Sequence, residues 1–415
     1  MTKYKQRKIL KILYINHYAG SPNHGMEYRP YYLAANWVRD GHQVAIVAAN
    51  YSHLRHKNVD IPNKDKYKFE SIDGVDYIWC NTPKYSGNGL KRLINIFTYL
   101  YKLFKFRKHL INQFKPDIVI ASSTYPFDTL IAKHIANKSG AKFIYEIHDL
   151  WPLTLIELSG MSKYHPLIML MQLAENYGYK KCDKVVSLLP NADQYMFKHG
   201  LAKSKFIYIP NGIELNRLSK SPLPSSHLNQ IQIMKSKYKY LLGYAGGMGE
   251  SNALEYLLDA IKLISNNQSI GVVLVGKGDL KDKLIEQTIN DDRVLILPPI
   301  DKNQVQDFLS YMDILYIGWH DLPIYRFGIS PNKIFDYMLS QKPILHSVNA
   351  SNDLVKIANC GVSVMAQDPV AIKDGIMQLI NLDANNREIL GLNGYNYVCA
   401  NHDYKVLARK FLQEI

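Results

Sequence analysis

Cysteine is sparse in this chain: Cys80, Cys182, Cys360 and Cys399 are four among 415 residues, far apart and without a C-x-x-C pair. Neither a disulfide framework nor a zinc site is expected, and a reducing cytoplasm suits such usage. Long hydrophobic runs are missing as well. No stretch approaches the roughly 18 uncharged apolar residues that a membrane-spanning helix needs. The basic start MTKYKQRKILKILYINHYAGSP loses its apolar run at Asn16 and His17, short of a signal peptide, so it reads as a first strand. Short repeats and low-complexity tracts are absent, which excludes solenoid and fibrous classes. Acid is missing locally. Residues 77–116 hold no Asp or Glu, yet include Lys84, Lys91, Arg92, Lys102, Lys105, Arg107, Lys108 and Lys115.

What is present describes an ordinary globular chain, 47% hydrophobic and 21% charged, long enough for two or three domains. Its formal charge of +14 is uneven. Residues 1–215 hold 30 Lys and Arg against 16 Asp and Glu, while residues 216–415 hold 20 of each. That asymmetry points to a polyanionic surface or ligand facing the first half. A nucleic-acid partner is not expected, because nothing follows a recognised nucleic-acid module.

The pattern along the chain is strand and helix in alternation. KILYINHYA, a Gly/Ser/Pro/Asn loop, the helix pattern MEYRPYYLAANWVRDG and QVAIVAA form a first βαβ unit. DIVIASS, KFIYEIH and DKVVSLL continue it as apolar strands, which predicts a parallel sheet covered on both faces. The alternation pauses at NRLSKSPLPSSHLNQ, placing a domain boundary near residue 215. A second series follows: KYLLGYAGG, GVVLVGKGD, RVLILPP, ILYIGW, PILHS and VSVMA. The expected architecture is α/β with two Rossmann-like domains, 1–215 and 216–397, facing across a cleft. Residues 398–415, ending in YKVLARKFLQEI, are expected to form a helix packing back toward the first domain.

Three stretches attract attention as sites. GISPNKIFDYM, residues 328–338, has Ser330 as a possible helix cap, Pro331 for a first turn, and Ile334, Phe335 and Met338 for a buried face. The same start offers free N–H groups beside Lys333, which suits a phosphate. GYAGGMGE, residues 243–250, follows a strand and precedes a helix, with glycines that would let a ligand approach the backbone; a tight turn is the alternative. Its spacing is not the G-x-G-x-x-G dinucleotide fingerprint. YEIHDLWP, residues 145–152, puts His148 and Asp149 at a strand's carboxyl end, where a His can donate to an anionic or hydroxylated ligand and a neighbouring carboxylate can fix its tautomer. The alternative is a loop His and a helix-capping Asp149.

Taken together, HDLWP, SPNKIFDYMLSQKPIL, IPNGIE and GYAGG resemble the family-4 glycosyltransferases of GT-B fold, and the resemblance runs along nearly the whole chain. Enzymes of bacterial O-antigen and capsule assembly, among them N-acetylfucosamine transferases, have similar wording at the first two stretches. The resemblance implies a retaining transferase with a nucleotide-sugar donor, UDP-linked, and a lipid-linked or nascent glycan as acceptor. It implies no cofactor and no metal, and the first domain offers no D-x-D between its strands. His148, Lys333 and Asp336 are then the catalytic candidates, with His148 at the donor sugar, Lys333 at the diphosphate and Asp336 at the ribose. Gly246, Gly247, Arg326, Gly328, Ile329, Ser330 and Asn332 would surround the donor. Gly20, Ser21 and Gly25 would bring a loop close to phosphate and acceptor.

The chain departs from the family's E-x7-E pair, with Gly328 at the first place and Asp336 at the second. The first Glu's task would pass to the N–H groups of Ile329 and Ser330. The basic residue that commonly follows the GYAGG glycines is also missing, so Lys333 and Arg326 would neutralise the diphosphate. A UDP-sugar 2-epimerase of the same architecture is the rival reading, and a nucleic-acid-binding protein is a more distant one. Within RLINIFTYLYKLFKFRKHLI the apolar residues exceed one core-facing stripe. This stretch is expected to rest on an anionic membrane surface, placing the protein peripherally at the inner face of the cell membrane.

Overall fold

The computed structural model of the protein describes residues 8–87, 89–215, 221–264 and 269–415. Most of the basic start and the first part of the expected linker, residues 216–220, lie outside these. The chain divides into two compact units, Met1–Asn211 with Tyr404–Ile415, and Gly212–Asp403.

The first unit is built on an eight-stranded sheet: β1 (Lys11–Ile15), β2 (Gln43–Ala49), β3 (Tyr67–Ile72), β4 (Val75–Cys80), β5 (Ile118–Ala121), β6 (Lys142–Ile147), β7 (Lys184–Ser187) and β8 (Phe206–Tyr208). Their spatial order is β3-β4-β2-β1-β5-β6-β7-β8. All pairs are parallel except β3 with β4. That antiparallel ribbon was not foreseen. YKFESI is largely exposed at the sheet edge, so it lacks the continuous apolar run that marks its neighbours. In the centre, Leu13 of β1 stands beside Ala45 of β2 and Val119 of β5.

Helices α1 (Arg29–Arg39), α2 (Leu90–His109) and α3 (Asp128–Ser139) pack on this sheet. Pro30 opens α1, where a missing N–H costs nothing. The helix Ala384–Asn401 belongs to the second unit, so the chain returns at Tyr404 rather than at 398. The final helix Tyr404–Glu414 completes the first unit's core with Tyr404, Leu407 and Phe411. Trp37 of α1 donates its indole N–H to Ala408 O at 2.9 Å, and its ring lies 5.2 Å from that of Phe411.

The second unit holds six strands, β9 (Tyr240–Gly247), β10 (Ile270–Lys277), β11 (Val294–Leu297), β12 (Ile314–Gly318), β13 (Ile344–Ser347) and β14 (Gly361–Val364). They are parallel throughout, in the order β11-β10-β9-β12-β13-β14. Both sheets are therefore of the doubly wound type, whose ligands gather at the carboxyl ends of the strands.

Candidate active site

In the second unit KYLLGYAGG is a strand as its pattern predicts, and its glycines do not form the loop that GYAGGMGE also suggests. They are residues of strand β9 itself, with Gly246 opposite Gly276 and Gly247 opposite Lys277 of β10. A side chain at Gly246 would meet Tyr244 Oη at 3.0 Å and Lys333 Cε at 3.4 Å. Lys333 lies in the first turn of the helix Asn332–Leu339 and reaches back over this strand end. Its ammonium donates to Tyr244 Oη at 2.9 Å and to Asn252 Oδ1, and stands 4.7 Å from the Tyr244 ring centre. Both hydrogen-bond partners are neutral. Desolvation by burial lowers the Lys333 pKa to about 7.

The helix start differs from the expected one. Pro331, with φ −75° and ψ 132°, is the N-cap, and Ser330 lies one residue outside. A proline side chain cannot accept a hydrogen bond, so no side chain caps this end and its N–H groups stay available. Gly328, which stands where the resemblance puts the first Glu, has φ +105°, a conformation L side chains rarely adopt. That Glu's task does not pass to Ile329 as expected. The Ile329 N–H donates to Asn352 Oδ1 at 2.7 Å, and Asn352 Nδ2 returns a bond to Ile329 O at 2.9 Å. Asn332 is exposed at the start of the helix. Arg326 folds over its own turn, donating to Pro323 O at 2.5 Å with its guanidinium 4.2 Å from the Phe327 ring.

Asp336 is buried and pairs with Lys302, a residue the sequence reading overlooked because it follows β11, more than thirty positions away. A ribose at Asp336 would share the carboxylate with that ammonium.

In the first unit His148 stands just beyond β6, which lies between β5 and β7. Its carboxylate neighbour is not Asp149, which is exposed, but Glu146, two residues earlier on the same strand face. His148 Nε2 lies 3.2 Å from Glu146 Oε2 and 3.0 Å from Ser122 Oγ. Glu146 is fully buried and also accepts from Arg29 Nε at 3.0 Å, Arg29 Nη2 at 3.0 Å, Ser122 Oγ at 2.7 Å and Tyr14 Oη. Desolvation opposes its ionisation, but the buried Arg29 outweighs it and holds the carboxyl well below its usual range. Burial likewise works against a charged His148, yet the hydrogen bond and charge of Glu146 prevail and raise its pKa. The alternation of Glu146 and His148 across Ile147 was the available sequence signal: an acid in an apolar strand, one pleat before a histidine.

The loop after β1 uses its polar backbone internally. Gly20 N donates to Glu27 O at 2.7 Å, Ser21 N to Gly25 O at 3.1 Å and Gly25 N to Ser21 O at 2.8 Å. Ser21 Oγ is 2.8 Å from His24 Nδ1. Gly20, Ser21 and Gly25 thus shape the loop, and their N–H groups do not form the open phosphate cradle that small residues suggested. Among the described residues no cluster of three or more His, Cys, Asp or Glu could hold a metal, and no helix is long and apolar enough to cross a membrane.

The two halves match two family profiles: Glycosyltransferase Family 4 over residues 24–217, and Glycosyl transferases group 1 over residues 239–382. Between them they take in most of the chain. This chain belongs to the glycosyltransferases. The enzyme is 22% identical over 313 residues to the glycosyltransferase WbjE of Pseudomonas aeruginosa, covering 72% of this chain and 76% of that one. It is 22% identical over 249 residues to WcaI of Escherichia coli K12, named as a colanic acid biosynthesis glycosyl transferase, covering 59% and 60%. The crystal structure of Anabaena HepE in complex with UDP and glucose superposes with a TM-score of 0.65 at 14% identity, covering 97% of this chain and 98% of that one. The fold of this glycosyltransferase is GT-B, two α/β domains with parallel sheets.

Proposed function

We propose that the enzyme is a retaining glycosyltransferase that moves a hexose or an N-acetylated amino sugar from a UDP-linked donor to a lipid-linked or growing surface glycan. The observation that carries this reading is Lys333: a partly buried ammonium, without a carboxylate partner among the described residues, at the uncapped start of a helix and beside two glycines at a strand end. A diphosphate supplies the missing countercharge, and the first-turn N–H groups add fixed dipoles. As the glycosidic bond breaks, negative charge grows on the departing diphosphate, and these groups stabilise it without reorganising. Nothing in this reading calls for a divalent cation or a cofactor. Asp336 holds the ribose and His148 meets the donor sugar. The binding of UDP by HepE and the polysaccharide pathway named for WcaI agree with this substrate class.

The acceptor side is supported by the first unit. A cavity of about 600 Å³ beside the ends of β2 and β4 is lined by Asn50, Asn58, Asp60, Asn81, Lys84 and Lys102 among others, a set of amides and charged groups of both signs suited to a polyhydroxylated head. Lys102 belongs to α2, the helix expected at the membrane surface. The experiment is a transfer assay with purified enzyme, a panel of nucleotide sugars and a polyprenyl-diphosphate-linked acceptor. UDP released in step with extended acceptor supports the reading. Interconversion of free UDP-sugars without acceptor would replace it with the epimerase, and inverted anomeric configuration in the product would remove the retaining assignment.

A further inference from the structure

The bonds around His148 distinguish its two ring nitrogens. Ser122 Oγ gives its proton to Glu146 at 2.7 Å and is left with a lone pair facing His148 Nε2. Glu146 Oε2, the other neighbour of Nε2, is a carboxylate oxygen and accepts only. Two acceptors therefore surround Nε2, so the proton belongs on that nitrogen. Nδ1 has no hydrogen-bond partner among the described residues and is the ring nitrogen left for a ligand. Glu146 is itself immobile, since Arg29 grips its other oxygen while also donating to Ile209 O at 3.1 Å and to Pro210 O. Tyr14 from β1 and Ser122, just beyond β5, close the remaining sides.

We propose that Glu146, anchored by Arg29, is the positioning residue of the site: it fixes the His148 proton on Nε2 and so presents Nδ1 to the donor sugar. The arrangement follows the general logic by which a buried acid orients a working histidine through its far nitrogen. This rests on the reading that His148 meets the donor, and it adds which atom does so and what controls it. Below its raised pKa His148 is an imidazolium, so Nδ1 is also a donor and suits a sugar hydroxyl or the anionic leaving group. The charged groups around it are Arg29 and Asp149, with Glu27 before α1 adding to the upward push of Glu146, and Arg29 opposing it.

The test combines imidazole ¹⁵N NMR of the full-length enzyme with transfer kinetics for wild type, Glu146→Gln, Ser122→Ala and His148→Ala, the last also assigning the signal. Wild type should show a proton on Nε2 throughout and a pKa above that of an ordinary histidine. In Glu146→Gln the His148 pKa should fall, and kcat should drop with little change in donor KM. If the imidazolium is required, activity is lost as pH rises through that pKa, so the alkaline limb moves to lower pH. Above both pKa values the protonated fraction falls roughly tenfold per unit of that shift. Ser122→Ala leaves the Arg29–Glu146 pair intact and should give a smaller change in the same direction, which keeps the proposal testable if Glu146→Gln does not fold. A neutral wild-type ring protonated on Nδ1, or a signal and pH profile untouched by both variants, would overturn the proposal while leaving the donor reading standing. Wild-type turnover in His148→Ala would instead remove the donor reading, and the proposal with it.

Discussion

A single lysine illustrates how burial turns an ordinary residue into a sensor of its ligand. With a pKa near 7, Lys333 is only partly protonated in the free enzyme at neutral pH. A bound diphosphate favours the charged form, so binding should take up protons and weaken as pH rises from 7 toward the pKa of the complex. Calorimetry of UDP binding at pH 8 in buffers of different ionisation enthalpy should record that uptake; none would mean that Lys333 does not meet the diphosphate. Lys333→Met should lose about 1.5–3 kcal/mol of UDP affinity, the range for hydrogen bonds to charged groups. Gly246→Ala reaches the same lysine indirectly. Its methyl would stand 3.4 Å from Lys333 Cε and 3.0 Å from Tyr244 Oη, so UDP affinity should fall while the melting temperature changes less. At Gly328 the emphasis reverses: φ is +105°, and Gly328→Ala should cost about 1–2 kcal/mol of stability, read as a lower denaturant midpoint.

At the scale of the element, α2 departs from the usual helix with one apolar face. Ile96, Tyr99, Leu100 and Leu103 are buried, which satisfies the core. Leu90, Ile94, Phe97, Tyr101 and Phe104 recur at spacings of four and three on another face, where they are 45–72% exposed. Lys105 lies 5.4 Å from the Tyr101 ring centre and the Arg107 guanidinium 3.5 Å from that of Phe104, so cations flank the apolar stripe. An anionic lipid surface matches both features, with the stripe in the headgroup boundary and each nearby cation adding about 1 kcal/mol. Replacing Lys102, Lys105, Arg107 and Lys108 with Glu should abolish co-sedimentation with vesicles containing phosphatidylglycerol. It should also reduce transfer to a lipid-linked acceptor and spare a soluble analogue. Wild-type enzyme that stays in the supernatant at low salt would refute membrane docking by α2.

For the whole molecule, the chain's return to its first unit is a matter of core volume. Tyr404, Leu407 and Phe411 are buried against the cluster that holds Trp37, although they stand about 370 positions further along. Phe411→Ala should cost about 3–5 kcal/mol, the range for a large aromatic removed from a packed core. It should act on the first unit, which fluorescence of the buried Trp37 and Trp79 can follow during denaturation. A transition seen by those tryptophans that matches wild type would mean that the last helix contributes little to this core.

The sequence by itself determined the alternation of apolar strands with helices, because in a parallel sheet buried on both faces each strand must be apolar along its length. It also determined where glycine, proline and lysine meet near residue 330, because local conformation is a local property. It left β3 unseen, since an edge strand need not be apolar, and it left Gly246 and Gly247 between strand end and loop, since glycine is weak evidence for any element. Only the tertiary structure decided which groups are already spoken for. The Ile329 N–H is taken by Asn352, Asp336 by Lys302, and the N–H groups of Gly20, Ser21 and Gly25 by their own loop. It also decided that Glu146 rather than Asp149 governs His148. The physical reason is the same in each case: a hydrogen bond or ion pair joins residues that folding brings within about 3 Å, and such distances across the sheet and between loops are not written in the spacing of the chain.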